Sequence, residues 1–220
     1  MKLIITESQY RLIVENEGRL FSVPVELLER EGGFGKVYNL YVTSKEKRNF
    51  TGIKIIGDLL VGSKNPDGFF KLCKEIVEID GSFRKSNPWG LELPRLKRVE
   101  GNLILASTDM NELPELEYVG EVLNIDGSNI KSMPKLKYVG STLSMESNEG
   151  IKELPELEYV GSSMRLIKSN ITSLPKLNYV GGSMMLKYSS LSYKLTDMSE
   201  EDRIKFMEKI NVQGEIKLWN

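Results

Sequence analysis

Histidine is absent from this chain of 220 residues, and cysteine occurs once, as Cys73. Without histidine, the chain lacks the commonest general base near neutral pH and the commonest metal ligand, so histidine-dependent triads and most zinc sites are excluded. With one cysteine, an intrachain disulfide is impossible, which fits a reducing compartment such as the cytosol. We therefore expect no metal, no cofactor and no enzymatic activity.

Excess charge and long apolar runs are also missing. The 30 Lys and Arg residues nearly balance the 31 Asp and Glu residues, so no global field attracts nucleic acid or an anionic membrane. No apolar run approaches the ~20 residues of a membrane span, and the opening MKLIITESQY lacks the apolar stretch of a signal peptide. We expect no nucleic-acid partner, no membrane insertion and no signal peptide.

An internal repeat dominates what is present. Five similar segments begin at Leu93, Leu113, Met133, Leu154 and Leu174, at steps of 20, 20, 21 and 20 residues. Each segment reads L-P-x-L-x-x-V-x-x-x-L-x-L. One such unit cannot bury its apolar face alone, so successive units must stack on one another around a shared core.

Two alternating apolar residues near the end of each unit predict a short strand with one buried face. These pairs are Leu103 with Leu105, Leu123 with Ile125, Leu143 with Met145, Met164 with Leu166 and Met184 with Leu186. The proline of each unit comes directly after its first apolar residue, where a central strand would not tolerate it. This part of the unit is therefore predicted to lead the chain back from one strand to the next, and we call it the returning segment. The sequence predicts a β-rich (α/β) solenoid with a single curved parallel sheet of roughly six to eight strands and helical caps.

Three regions follow from this pattern. Residues 1–48 are predicted to form an amino-terminal cap with a short helix, begun by Thr6, and strands. Residues 49–195 are predicted to form the solenoid, and residues 196–220 a carboxyl-terminal cap with a helix and a final strand. Ser199 is the expected N-cap of that helix, with Asp202 as the acid three residues later.

The repeat resembles the leucine-rich repeat, in particular its short bacterial type of about 20 residues with a Leu-Pro pair. The family places Asn at the turn after the strand, where this chain has hydroxyls in four of five units; hydroxyls can still bond backbone groups there. The opening MKLIITESQY resembles that of many phage-encoded proteins, which implies a phage origin. The turn positions are Thr108, Ser128, Asn148, Ser169 and Ser189.

The resemblance implies that the outward positions of the strands form the binding surface. Ile104, Ile167 and Met185 are apolar among these positions, which suits a protein partner better than a sugar or a phosphate. The candidate binding residues are Ile104, Asn124, Asp126, Ser144, Glu146, Arg165, Ile167, Met185 and Lys187.

Two further sets of residues occupy equivalent positions in successive units, so each set should be aligned in a column along the stack. Tyr118, Tyr138, Tyr159 and Tyr179 occupy one equivalent position and should form an aromatic ladder, either as packing over the core edge or as a second recognition strip. Charges alternate in sign from unit to unit, so neighbouring units should place opposite charges side by side. Examples of this alternation are Glu115, Lys135, Glu156 and Lys176.

A glycine-rich segment, EGGFGKVY at residues 31–38, resembles the phosphate-binding loop of protein kinases, with Lys54 near the place of the phosphate-pairing lysine. The first glycine of that motif is replaced by Arg30, and neither an H-R-D nor a D-F-G segment is present. We therefore expect no ATP site here, and instead a tight turn into a strand from Val37 to Val42.

The sequence predicts a non-enzymatic protein-binding module of the leucine-rich-repeat type. The alternative is a structural subunit of a phage virion or another assembly. Localisation in the cytoplasm of a bacterial host, or in a virion, agrees with either function. Cys73 matches an apolar position of a fainter upstream copy, so we expect a buried, inert thiol.

Overall fold

The repeats stack as a parallel β-solenoid. The computed structural model describes residues 20–29, 32–62, 65–85 and 89–218. Within these residues, the strands form one sheet of nine strands and one of eight, and all strand pairs are parallel. We call them sheet A and sheet B, and each turn of the chain contributes one rung to the stack.

Sheet A contains the longer strands of the amino-terminal end and a Tyr-Val pair from most later rungs. Its strands, in spatial order, are Leu20–Pro24, Gly52–Ile56, Ile76–Asp80, Arg98–Val99, Tyr118–Val119, Tyr138–Val139, Tyr159–Val160, Tyr179–Val180 and Asn211–Val212.

Sheet B contains the strands that the alternating apolar pairs predicted, and it starts one rung later. Its strands, in spatial order, are Leu59–Val61, Phe83–Lys85, Leu103–Ile104, Leu123–Asn124, Leu143–Ser144, Met164–Arg165, Met184–Met185 and Ile216–Lys217.

The β-rich solenoid predicted from the repeats is confirmed, but the expectation of a single curved sheet is wrong. Sheet A arises because the segment around each repeat valine is also extended and pairs from rung to rung, as Tyr138 does with Tyr118 and with Tyr159. Tyr and Val both favour strands, and a glycine directly after the valine lets the chain bend into sheet B.

Five helices lie among the described residues. They are α1 (Val25–Leu28), α2 (Gly33–Arg48), α3 (Phe69–Cys73), α4 (Ser190–Asp197) and α5 (Glu200–Lys209). Both α1 and α2 come between the first two strands of sheet A in sequence, and α4 and α5 come between its last two. The predicted strand and helix of residues 1–16 lie outside the described residues.

The carboxyl-terminal helix begins as predicted. The Ser199 hydroxyl accepts a hydrogen bond from the backbone N–H of Asp202 at 3.1 Å and donates to the Asp202 carboxylate at 2.7 Å. The first of these bonds satisfies an N–H group that the first helical turn would otherwise leave unpaired. The preceding helix α4 was not predicted; the hydroxyl of Ser189 caps it by accepting from the N–H of Ser192 at 3.1 Å.

The strand predicted from Val37 to Val42 is wrong, because these residues lie within α2. The glycines of that segment allow close contact between backbones. A Cβ atom on Gly33 would lie 2.3 Å from the carbonyl oxygen of Leu27, and a Cβ atom on Gly68 would lie 2.5 Å from the Cα of Gly35. Helix packing therefore accounts for the glycines.

The shared core is continuous along the stack. Each of the five central sheet B strands places one apolar residue inward, and neighbours pair in register from rung to rung. Burying one such side chain contributes about 1.5–3 kcal/mol. The five residues of this column, each 0% exposed, are Leu103, Leu123, Leu143, Met164 and Met184.

In the four rungs with a Tyr-Val pair, close contact along the stack requires a glycine at the bend between the sheets. A Cβ atom on Gly140 would lie 1.9 Å from the carbonyl oxygen of Gly120 and 3.3 Å from ring carbon Cε1 of Tyr138. Gly120, Gly161 and Gly181 meet the carbonyl of the preceding rung in the same way, at 2.0–2.1 Å. Any side chain here would push two rungs apart.

We predict that Gly140→Ala lowers the free energy of unfolding by about 3 kcal/mol, because the methyl group would overlap a backbone carbonyl that cannot move alone. The matched control is Gly127→Ser. Gly127 has a φ of 58°, but Ser107 and Ser147 adopt the same conformation in neighbouring rungs, at φ 57° and 55°. The control should therefore change stability by less than about 1 kcal/mol. Urea unfolding followed by circular dichroism measures both, and equal effects would contradict this account of the bend.

Candidate binding face on sheet B

The predicted binding residues lie together on the outer side of sheet B. Strand register stacks Ile104, Asn124, Ser144, Arg165 and Met185 in one column. The second column, two residues further along each rung, stays in register because backbone hydrogen bonds continue past the strands, from Ser147 to Ile167 at 2.8 Å and from Lys168 to Lys187 at 3.0 Å. This second column contains Asp126, Glu146, Ile167 and Lys187.

The centre of this face is closed by its own hydrogen bonds. The Asp126 carboxylate accepts from the Ser144 hydroxyl at 2.7 Å and from the backbone N–H of Glu146 at 2.7 Å. Ser144 was expected to point outward and be exposed, but it is only 5% exposed, because Asp126 of the neighbouring rung covers it. Ser144 therefore offers little surface to a partner.

An ion pair joins the centre of the face to its carboxyl-terminal part. Arg165 bonds to the carboxylate of Glu146 in the preceding rung, and their side chains are 44% and 27% exposed. A pair this accessible to water contributes at most about 1 kcal/mol to stability. The Arg165 guanidinium is therefore held in place without being buried, and it remains accessible from solvent.

The carboxyl-terminal part of the face combines cations with apolar and aromatic groups. The ammonium of Lys187 lies 4.9 Å from the ring centroid of Tyr188, and this ring is 48% exposed. Lys168 is exposed and makes no ion pair with any described residue. We call this part the cationic half of the face; it comprises Arg165, Ile167, Lys168, Met185, Lys187 and Tyr188.

Two of these residues, Lys168 and Tyr188, were missed in the sequence analysis. Both have a left-handed backbone, with φ of 55° and 58°, at the turn that follows the outward residues of each rung. Period-two alternation ends before this turn, so it could not assign a side to them. The sequence did contain one signal for them, since they come directly after Ile167 and Lys187, which were predicted to point outward.

The predicted tyrosine ladder is confirmed. Adjacent rings from Tyr118 to Tyr179 have centroids 4.8 Å apart and planes within 7° of parallel. The guanidinium of Arg98 covers the first ring, 3.6 Å from the centroid of Tyr118. Since the rings face one another, their edges and hydroxyls are what a partner could reach. This geometry favours packing over recognition, and the second recognition strip remains a prediction.

The ladder changes the acidity of Tyr138. Burial, and then the neighbouring phenols of Tyr118 and Tyr159, raise the pKa of Tyr138. A raised pKa in the folded state means that Tyr138 stabilises the fold fully below its unfolded-state pKa, about 10. This contribution is lost as the pH rises through the higher folded-state value.

We predict that the tyrosinate absorbance difference between the wild type and Tyr138→Phe titrates with a midpoint clearly above about 10. Replacing both neighbours, with Tyr118→Leu and Tyr159→Leu, should move that midpoint part of the way back toward the ordinary value. The two substitutions remove the neighbouring phenolate charges, whereas leucine still covers the ring. Circular dichroism at each pH confirms that the protein is folded. A midpoint at or below the ordinary value in the intact ladder would show that the rings do not stack this way.

The alternating charges form the expected contacts between rungs. Lys135 lies 2.8 Å from Glu115, and Lys176 lies 2.7 Å from Glu156. The hydrogen bond from Lys135 lowers the pKa of the Glu115 carboxyl. A one-rung slip would bring like charges together, so these pairs favour the observed register.

The turn residues after sheet B are buried and bond backbone groups, as predicted. Asn148 is the most connected: its amide donates to the carbonyls of Ser128 and Ile130, each at 3.0 Å, and its side-chain oxygen accepts from the N–H of Ile151 at 3.0 Å. The hydroxyls of Thr108, Ser169 and Ser189 bond backbone groups in their rungs, as when Ser169 donates to the carbonyl of Leu166 at 2.8 Å.

The candidate reactive groups lie outside this face. Cys73 is buried as expected, and burial raises the pKa of its thiol, which keeps it protonated and weakly nucleophilic. Lys54, the kinase-like lysine, is instead 3.4 Å from Glu78 on the neighbouring strand of sheet A. Among the described residues, no cluster of three or more Cys, Asp or Glu side chains is placed to hold a metal ion. Across the same residues, every helix is too short or too polar to cross a membrane.

The architecture defines the class of protein as a parallel β-solenoid with two sheets. No protein-family model, curated protein or solved structure matches the chain.

Proposed function

We propose that this chain is a non-enzymatic protein-binding module of the leucine-rich-repeat type, and that it binds through the outer face of sheet B. The observation that carries the proposal is the pair of outward columns on this face, which present apolar and charged side chains in register, with the half-exposed ring of Tyr188 beside them. Interfaces between proteins combine these groups, with aromatic residues, Met and Arg enriched.

The scaffold favours binding because its order is established before a partner arrives. Each rung is bonded to its neighbours through the backbone, and the interior behind the face is filled with apolar side chains. A preordered surface loses little conformational entropy on association, so more of the contact energy appears as affinity.

The dimensions of the face favour an extended segment of a partner. Five rungs at about 4.8 Å each give a length of about 20 Å, which an extended peptide of about six residues would cover. A standard interface between two folded proteins buries about 800 Å² on each side, more than two columns of this length supply. The surface therefore suits a peptide segment or a projecting loop.

We predict that Arg165→Glu combined with Met185→Glu abolishes partner capture while the chain stays folded. The variant should lose about 1–2 kcal/mol of stability, because the exposed Arg165–Glu146 ion pair is broken and like charges meet in neighbouring rungs. Asn129→Glu with Lys152→Glu is the matched control, because it makes the same change in charge at exposed positions of the returning segment. Affinity capture with mass spectrometry compares the three proteins. Identical captured partners for wild type and face variant would contradict the proposal.

The same preparations test the alternative, a structural subunit of a virion or other assembly. Light scattering on the purified chain should give a monomer if the face is free to bind a partner. A stable homomer that dissociates in the Arg165→Glu, Met185→Glu variant would instead favour the assembly subunit.

A further inference from the structure

The last rung of the described stack ends both sheets at once. Asn211–Val212 is the edge strand of sheet A, and Ile216–Lys217 is the edge strand of sheet B. At the other end the sheets are out of step, because Leu20–Pro24 begins sheet A one rung before Leu59–Val61 begins sheet B. The carboxyl-terminal end therefore presents two edge strands at one level, and an edge strand without a partner can pair with another chain.

The backbone of Ile216 points out of the stack at this end. In each central rung, the inward residue of sheet B donates its N–H to the rung that follows, as Met184 does to the carbonyl of Glu215 at 2.9 Å. Ile216 is the next residue of this inward column, so its N–H and C=O point the same way. Among the described residues, no strand follows there and no group bonds to this N–H or C=O. Both are left to bond with another chain.

The apolar interior is only partly covered at the same end. The inward column of sheet B is 0% exposed as far as Met184, whereas Ile216, which continues it, is only partly buried. Phe206, Val212 and Leu218 pack against the core and are also partly buried. A further rung placed on this end would remove that apolar surface from water, which favours association.

The edge strand of sheet B is self-complementary in charge. Glu215 and Lys217 flank Ile216, and their side chains are 77% and 50% exposed and 3.2 Å apart. When two such strands pair antiparallel around their isoleucines, Glu215 of each copy lies directly opposite Lys217 of the other. Opposite charges in these positions stabilise the pair, and the two isoleucines exchange the N–H and C=O bonds that each edge lacks.

We propose that a second copy of this chain docks on the carboxyl-terminal edge, so that two Ile216–Lys217 strands pair antiparallel across a two-fold axis. The two inward columns then meet in one interior, because directly opposed residues of an antiparallel pair point to the same side of the sheet. The contact is limited to one rung of each copy, far less than a standard interface. We therefore expect a weak dimer that dissociates on dilution.

This arrangement leaves the outer face of sheet B free in both copies. It also turns the two faces to the same side, so that sheet B continues from one copy into the other. A partner with two binding segments would meet two candidate faces on one body and bind more tightly through avidity. The dimer itself does not depend on the proposed function, because Glu215, Ile216 and Lys217 lie outside the candidate binding face.

Sedimentation velocity on the full chain over a dilution series tests the proposal. The wild type should change from one chain at low concentration to two chains at high concentration. Glu215→Lys alone and Lys217→Glu alone should each weaken the association by about tenfold or more, because two attractive contacts become repulsive. An equimolar mixture of the two variants should dimerise again, since each variant then meets the opposite charge at both positions.

The matched control combines Glu215→Lys with Lys217→Glu, which exchanges the two charges, keeps the strand self-complementary and should dimerise like the wild type. Ile216→Pro removes the unbonded N–H and should weaken the dimer without breaking a backbone bond within the chain. Circular dichroism checks that each variant is folded.

Three results would overturn this contact. The first is a wild type that is monomeric at every concentration, and the second is a dimer that neither single reversal weakens. The third is growth beyond two chains, which would show that copies stack head to tail.

Discussion

The register between neighbouring rungs is the constraint on which the rest of this structure depends. Backbone bonds such as Leu103 to Val122 and Leu123 to Thr142, at 2.8 and 3.0 Å, place each residue directly over its counterpart about 20 positions away. Because the register is kept, one inward column is dry, the tyrosines stack face to face, and opposite charges meet. The outward side chains of sheet B are aligned in columns for the same reason. A slip by one residue would turn every inward side chain of a strand outward, so the core and the surface are fixed by one alignment.

The repeat made most of this arrangement predictable. The inward column at Leu103, the tyrosine ladder and the Glu115–Lys135 contact all follow once identical positions are assumed to stack. The second sheet was missed because each of its later rungs has a single inward apolar residue, the valine. No second apolar residue lies two positions away, as Leu105 does after Leu103, so the sequence shows no alternation there. Its signal was a different one, the Tyr-Val pair followed by Gly140 and its equivalents. Those glycines indicate a backbone contact, and the contact exists because two sheets meet there.

The candidate face was harder to predict than the fold. Alternation assigns a side chain to the outside of a sheet, but it does not tell whether a neighbour covers it. Ser144 shows the difference: it occupies an outward position and is nevertheless buried by Asp126 from the rung before. Lys168 and Tyr188 show the reverse, since they lie at the left-handed turn beyond the strands and are exposed there. The burial of Ser144 depends on a contact between rungs, and the exposure of Lys168 and Tyr188 depends on the conformation of a turn. Alternation along a strand contains neither.

The repeat unit of 21 residues shows that the returning segment can change in length while sheet B keeps its register. The additional residue lies near Gly150 on the returning segment, where a Cβ atom would be 2.4 Å from the carbonyl of Ile130. On sheet B the register across the same rungs is unbroken, since Leu143 pairs with Met164 and Ser144 with Arg165. A change of length is thus absorbed on one side while the other keeps its columns aligned. The charge of the face reverses between these same two rungs, so the stack tolerates a change of chemistry there without any change of geometry. The backbone register determines the positions of the outward side chains. The chemistry of the side chains in each rung then determines which groups can bind there.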